Sequence, residues 1–192
     1  MSPINGEIFL CANENVADSN LENLFKSEGG TKMMIKFSIN NDRSFHLRSA
    51  AIIIHNKKVL FQRPVNSENW FLPGGRVEHF ESTEETLKRE LMEEFNLKVV
   101  HLKLCWVVEY FLDTENKKIQ ELGMHYLVEI PEDHKLVNYE NEFKGMEEEY
   151  VHRWIEIDKL DQYKIVPEYV VSQLQKLKDS RGIEHTVLSV VR

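Results

Sequence analysis

The sequence predicts an α/β fold, because segments with the pattern of strands alternate with segments that have the periodicity of helices. Phe45 to His55 has a continuous apolar centre, which is typical of a strand covered on both faces. Residues 82–97 carry an apolar residue at every fourth position, which indicates an amphipathic helix. A second helical pattern begins at Asp158. The chain order is therefore strands, helix, strands, helix.

The remaining elements follow from turn residues and apolar runs. Pro64 ends a strand, since proline cannot donate to a strand ladder. The segment from Pro131 to Glu149 is polar and without periodicity, and a loop of that length favours a function. Pro167 suits the first turn of a helix that continues to Leu177. In chain order, the predicted strands are 35–37, 45–55, 59–63, 97–100, 102–112, 124–130 and 152–157.

The first predicted helix has a clear start and a defined buried face. Ser82 followed by Glu85 has the spacing of a capping box, which predicts a start at Ser82 or Thr83. The predicted buried stripe is Leu87, Leu91 and Phe95.

Three glutamates lie on one flank of this helix, directly beside the apolar stripe. Glu90, Glu93 and Glu94 have i, i+3, i+4 spacing, which brings their carboxylates together. Crowded carboxylates raise one another's pKa, and a hard divalent cation relieves the conflict because Mg²⁺ prefers oxygen ligands. From the helix alone, a solvated acidic face is the alternative, since 29% of the residues are charged.

The spacing of a glycine, an acid and the helix residues resembles a known motif. Gly75, Glu81 and the run from Arg89 to Leu97 match the Nudix box, G-x5-E-x7-R-E-U-x-E-E-x-G-U, where U is a bulky aliphatic residue. Asn96 replaces the last glycine, at a helix end where Asn is the next most tolerant residue of a left-handed conformation. The resemblance implies a Nudix fold, with a mixed sheet sandwiched between helices, across about residues 42–180.

The resemblance also implies an activity and a metal. Nudix hydrolases cleave a diphosphate linkage in small nucleotides by attack of water at phosphorus. The implied substrate is a nucleoside triphosphate, ADP-ribose or another nucleoside diphosphate derivative, and the implied cofactor is Mg²⁺, for which Mn²⁺ can substitute. By position in the motif, Glu90 and Glu94 are the main metal ligands, and Glu93 is a further ligand or a base. The carbonyl of Gly74 is a further implied metal ligand, and Gly75 is expected to permit a sharp turn.

Two other box residues are assigned to support the glutamates. Arg89 is expected to orient its neighbours through charge-assisted hydrogen bonds, and Glu81 to support the metal site or its waters. The implied catalytic set is Glu93, Arg89 and Glu81. A Nudix-fold module that binds nucleotide to regulate a partner, without catalysis, is the alternative function. Such modules usually lose one or more box acids, whereas this chain keeps Glu81 and all three helix glutamates.

Outside the box, the sequence leaves several assignments open. Glu129 and Glu147–Glu149 could supply a further catalytic carboxylate, although solvated charge is the commoner role. Arg48 and Arg63 could meet a phosphate, with surface salt bridges as the alternative. Trp70, Tyr110 and Phe111 could stack on a base, with core packing as the alternative. His79 could approach substrate, with a structural or surface role as the alternative.

Composition limits the remaining possibilities. A net charge of −8 argues against general binding to nucleic acid or anionic membrane, and no apolar run is long enough to span a bilayer. Cys11 and Cys105 are too few for a disulfide framework or a zinc site, so a reducing cytoplasm is expected. Residues 1–33 are expected to be a poorly ordered extension or leader before a domain at 34–192. Whether the protein forms a homodimer is left open.

Overall fold

The structure is a computed structural model, and it describes residues 35–40, 42–177 and 182–191. The predicted extension at 1–33 lies outside these residues. None of the described helices is long and apolar enough to cross a membrane. The elements are β1 (Lys36–Asn40), β2 (Arg43–His55), β3 (Lys58–Pro64), β4 (Gly74–Arg76), α1 (Thr83–Phe95), β5 (His101–Asp113), β6 (Lys118–Glu129), β7 (Phe143–Lys144), β8 (Tyr150–Glu156), α2 (Tyr169–Lys176) and β9 (Glu184–Val191).

The described strands form a mixed sheet around β2. Its order is β7-β8-β3-β2-β6-β5-β9, and β1 and β4 also pair with β2. β2 runs parallel to β6 and antiparallel to β1, β3 and β4. A second parallel pair, β5 with β9, lies at one end of this order. The predicted α/β class with a mixed sheet is confirmed.

The two helices cover opposite faces of the sheet, because successive residues of a strand point to opposite sides. Ala51 and Ile53 of β2 share a buried cluster with the α1 stripe of Leu87, Leu91 and Phe95. Ala50 and Ile52 belong to a second cluster with residues of α2, namely Val170 and Leu174. The prediction that the apolar centre of this strand is covered on both faces is therefore correct. Full burial of each such aliphatic side chain contributes roughly 1.5–3 kcal/mol.

Several segments differ from the sequence-based prediction, including β9, β7 within the predicted loop at 131–149, and the first half of β6. Gly74 to Arg76 is a short strand rather than a plain turn. Residues 97–100 are irregular, because Leu97 follows the helix end, donates its N–H to the Leu91 carbonyl (3.2 Å) and buries its side chain. The helical pattern after Asp158 is split into a 3₁₀ turn at Ile157–Gln162 and α2, with the cis peptide bond Val166–Pro167 before α2.

Candidate active site beside the acidic helix

The first helix begins and ends where the sequence predicts. The Ser82 hydroxyl accepts a hydrogen bond from the Glu85 N–H (3.2 Å), and the Glu85 carboxylate accepts one from the Ser82 N–H (2.8 Å). Asn96 follows the last helical residue with φ 53° and ψ 40°, a left-handed conformation. The capping box and the asparagine therefore fix the positions of the glutamates between them.

The two glycines before the helix have different roles. Gly74 has φ +126°, and a Cβ there would overlap the carbonyl of Ser49 on β2. Gly75 has no left-handed φ, but a Cβ at this position would overlap the carboxylate of Glu90. The sharp turn was predicted at Gly75, but the residue with a positive φ is Gly74. Gly75 instead leaves the space in which the Glu90 carboxylate lies against β4.

Arg89 is the centre of a network of carboxylates. Its Nε and Nη2 atoms donate to the two oxygens of Glu81, at 2.8 and 3.0 Å. Its Nη1 atom donates to Glu90 Oε1 at 2.8 Å and to Glu93 Oε2 at 3.4 Å. The guanidinium fork therefore holds one acid in a bidentate pair and orients two others. This is the orienting geometry predicted for Arg89.

The Arg89 network keeps Glu81 ionised. Burial by itself would raise the pKa of Glu81, but hydrogen bonds from Arg89, the Glu78 N–H and the Thr86 hydroxyl outweigh it and lower the pKa to about 2. The same pairing with Glu81 raises the pKa of Arg89. Glu81 is therefore a fixed negative charge that holds the guanidinium in place.

Glu94 has the opposite environment. It is only 4% exposed, and burial, followed by the charges of Glu90 and Glu147, raises its pKa to about 8. Within the described part of the chain, its Oε2 atom is buried and has no hydrogen-bond partner. An oxygen in this position costs stability unless a donor or a cation binds it.

The loop after β7 packs directly on the carboxyl end of this helix. The Met146 N–H donates to the Glu94 carbonyl at 2.7 Å, and a Cβ at Gly145 would lie 2.6 Å from the same oxygen. This packing brings Glu147 close enough to raise the pKa of Glu94. Of the loop acids proposed from sequence, the structure thus brings Glu147 to the site. Glu129 ends β6 opposite His101, four residues beyond His125, which lies level with Gly74 across β2.

Arg63, one of the two arginines that the sequence suggested could meet a phosphate, has a structural role. Arg63 pairs with Glu142 (2.9 Å) and its guanidinium lies 5.0 Å from the centre of the Trp70 ring. Trp70 itself is buried in the core. For Arg63 and Trp70, the salt-bridge and packing alternatives therefore agree with the structure.

A cavity of about 350 Å³ lies on the sheet face that carries α2, next to the glycine pair. Arg48 lines it and donates to the Gly74 carbonyl at 3.1 Å. Arg76 also lines it and is half-buried, and its side chain has no hydrogen bond or ion pair to any residue that the structure describes. Tyr110 is the predicted aromatic that reaches the cavity. Arg76 was not among the residues predicted from the sequence, although its position directly after the two glycines was a usable signal.

The oxygen atoms of this site suit a hard divalent cation, although the carboxylates do not point toward one common position. Among the described residues, no three acidic, cysteine or histidine side chains are arranged to hold a metal ion. Arg89 occupies one oxygen of Glu90, while Glu94 keeps a buried oxygen without a partner. Oxygen ligands with excess negative charge are what Mg²⁺ prefers, so Glu90 and Glu94 fit the predicted role. The Gly74 carbonyl remains a predicted ligand.

Comparisons with known proteins agree with this geometry. A family model described as NUDIX domain matches residues 45–174, which is more than half of the chain. A crystal structure of a MutT protein from Bacillus halodurans is 18% identical, with a TM-score of 0.53 over 75% of this chain and 90% of that one. A MutT NUDIX hydrolase from Burkholderia pseudomallei is 17% identical, with a TM-score of 0.51 over 69% of this chain and 98% of that one. At these identities the likeness supports the fold. The search of curated proteins found no match.

Proposed function

This chain belongs to the NUDIX domain family, and from that premise we propose that it is a Mg²⁺-dependent hydrolase of small nucleotides. It would cleave a diphosphate linkage by attack of water at phosphorus. The observation that carries the proposal is the pair formed by buried Glu94 and neighbouring Glu90, beside an arginine that holds Glu81 and Glu90 in place. A purely structural helix face would not bury a carboxylate oxygen without a partner.

Glu90 and Glu94 would hold the cation, with the Gly74 carbonyl as a further ligand and Mn²⁺ as a substitute for Mg²⁺. Glu93 would be either a further ligand or the base. When bound, such an ion neutralises phosphate charge and lowers the pKa of bound water. Arg89 acts as a positioning residue, because its Nη1 atom fixes the carboxylate of Glu90.

Two acids are available to accept the proton of the attacking water. Glu93 is 36% exposed and is held by Arg89 at 3.4 Å, so its carboxylate is both oriented and open to solvent. Glu147 approaches Glu94 from the loop after β7. We assign the base to Glu93, because Arg89 already fixes its orientation, and treat Glu147 as the alternative.

The cavity beside the glycine pair is the proposed nucleotide site. A diphosphate is strongly anionic, whereas the protein carries a net charge of −8, so the substrate needs local cations. Arg76 supplies one at the cavity wall, next to the residues that precede the helix. Arg48 supplies another, which also ties the wall to the Gly74 carbonyl.

A panel of nucleotides tests the proposal. Nucleoside triphosphates, ADP-ribose and sugar nucleotides are incubated with Mg²⁺, and release of phosphate, or of pyrophosphate after coupling, is measured. We expect turnover of at least one compound that is abolished by EDTA and falls about 100-fold or more in Glu94→Gln. Glu84→Gln is the matched control, since Glu84 is a first-turn acid outside the motif. Tight nucleotide binding without turnover of any compound would instead support the regulatory binding module.

A further inference from the structure

We infer that the cavity selects a guanine-type base, whose adjacent N–H donors bind the carboxylate of Glu121. The inference rests on the proposed nucleotide substrate and deepens it by assigning the end of the cavity that reads the base. Glu121 lies on β6 and lines the same cavity as Arg48 and Arg76. It matches no position of the motif, so the site described above leaves it without a role.

The Glu121 carboxylate has unused capacity to accept hydrogen bonds. Its side chain is 29% exposed, and Nδ1 of the His46 ring lies 3.9 Å from its Oε2 atom. That separation exceeds hydrogen-bond distance. Among the residues that the structure describes, no donor forms a hydrogen bond with the Glu121 side chain. A carboxylate that accepts nothing, inside a partly apolar cavity, fits a ligand that brings its own donors.

The floor of the cavity suits a flat ring. The next residue of β6 on the same face is Gly123, which lies between Arg48 of β2 and Val108 of β5. A Cβ at this glycine would come within 3.0 Å of the His125 ring. The floor of the cavity is therefore open at this position because Gly123 has no side chain. Apolar side chains surround Glu121 on this face and could contact a planar base, namely Tyr110, Leu112 and Ile119.

The spacing along the sheet separates a phosphate end from a base end. Arg76 pairs with Arg48, and Glu121 pairs with His46, which is two residues from Arg48 on the same strand. Two strand spacings and one two-residue step place the Cα atoms of Arg76 and Glu121 roughly 12 Å apart. A nucleotide with its phosphates at Arg76 can therefore extend its base toward Glu121.

The charge of Glu121 decides which base is favoured. A carboxylate in the binding site of an anion is repulsive unless the ligand presents donors to it. Guanine presents N1–H and its exocyclic amino group side by side, and a carboxylate can accept both hydrogen bonds at once. Adenine presents one amino group beside an acceptor nitrogen, which would face the oxygen lone pairs. Hypoxanthine keeps N1–H but lacks the amino group.

Two polar side chains near Glu121 contact each other. The Tyr169 hydroxyl and His125 Nε2 are 3.1 Å apart. Burial lowers the pKa of His125 to about 4, so its ring is neutral at pH 7 and adds no positive charge that could offset Glu121. Among the described residues that line this cavity, Glu121 is the acidic one.

The test compares bases in the wild-type protein and in Glu121→Gln. Values of kcat/KM are measured with Mg²⁺ for the guanosine, inosine and adenosine forms of the phosphate compound that the nucleotide panel identifies. We expect the wild-type protein to prefer guanosine over inosine by about 10-fold or more, because a site built for hydrogen bonds discriminates against an analogue that lacks one. Glu121→Gln should lower the guanosine value by more than the inosine value, so that most of this preference is lost.

A matched control and a sugar variant separate the alternatives. Glu109→Gln changes an exposed acid of β5 that pairs with His185 and does not line the cavity, so it should leave the base preference unchanged. The 2′-deoxyguanosine form tests whether Glu121 binds the ribose instead. If loss of the 2′-hydroxyl removes the effect of Glu121→Gln, the carboxylate reads the sugar and the inference is wrong.

Failure of the inference can be distinguished from failure of the proposed function. If Glu121→Gln lowers kcat/KM equally for all bases, or if the wild-type protein does not distinguish guanosine from inosine, hydrolysis stands and base selection by Glu121 is refuted. If no compound is hydrolysed, the dissociation constants of GDP and IDP are measured by calorimetry. A guanine preference that disappears in Glu121→Gln would then support the inference, and equal affinities would overturn it.

Discussion

Replacing Glu94 by Gln should stabilise the metal-free protein at high pH, although it removes a proposed metal ligand. The pKa of Glu94 rises from 4.5 to about 8 in the folded protein, mainly because of burial. Between these values the folded protein binds a proton that the unfolded chain has lost. Its free energy of unfolding therefore decreases as the pH rises from 4.5 to 8. At 1.36 kcal/mol per pKa unit, the loss approaches about 4 kcal/mol at pH 8.

Glu94→Gln removes this titration and replaces it with a constant cost. A buried amide with one polar atom unpaired costs about 1–3 kcal/mol at every pH. We therefore expect the variant to be less stable than the wild-type protein at pH 5 and more stable, by about 1–3 kcal/mol, at pH 8. The assay is urea unfolding in EDTA at pH 5, 6, 7 and 8. Titrations shared by both proteins, such as those of His125 and His152, cancel in the difference.

Two further measurements make this prediction sharper. Glu93→Gln is the control, because it removes a carboxylate from the same helix flank that is 36% exposed, against 4% for Glu94. Addition of Mg²⁺ at 100 times its dissociation constant should stabilise the wild-type protein by about 2.7 kcal/mol, and Glu94→Gln by much less. A difference between the wild-type protein and Glu94→Gln that stays constant from pH 5 to 8 would refute the reasoning.

Three other changes test separate parts of the site. Glu93→Gln should keep the fold and lower turnover by about 10²–10⁴-fold. Recovery of turnover at high Mg²⁺ would indicate that Glu93 is a metal ligand, and no recovery would indicate that it is the base. Wild-type turnover in this variant would move the search for the base to Glu147. Gly75→Ala should lower kcat with little change in the urea midpoint, because its Cβ displaces the Glu90 carboxylate, while Gly74→Ala should lower both. A chain that starts at Met34 should remain soluble and active, since the residues before it are polar and lack a buried pattern. Loss of either property would mean that this segment is integral to the domain.

Features set by local sequence were predictable. The capping box, the left-handed Asn96 and the contacts of Arg89 with Glu81 and Glu90 join residues within eight positions of one another. Their geometry depends on one helix and the loop before it. The core stripe of α1 was predictable for the same reason.

Features set by strand register were not predictable from one sequence. The cavity brings together Arg76, Arg48 and Glu121, which lie on three strands, and their alignment depends on pairing between distant segments. The burial of Glu94 depends on the loop around Gly145, far along the chain. β9 was missed because its residues alternate only between exposed and half-buried positions, which gives a weak strand pattern.

The most direct test of the central claim is the anomalous scattering of Mn²⁺ in crystals of the wild-type protein. The proposed function requires a divalent cation held by the acidic helix. We predict an anomalous peak between the carboxylates of Glu90 and Glu94, with both residues as ligands. Anomalous density elsewhere on the protein, with none between these two carboxylates, would contradict the proposed site.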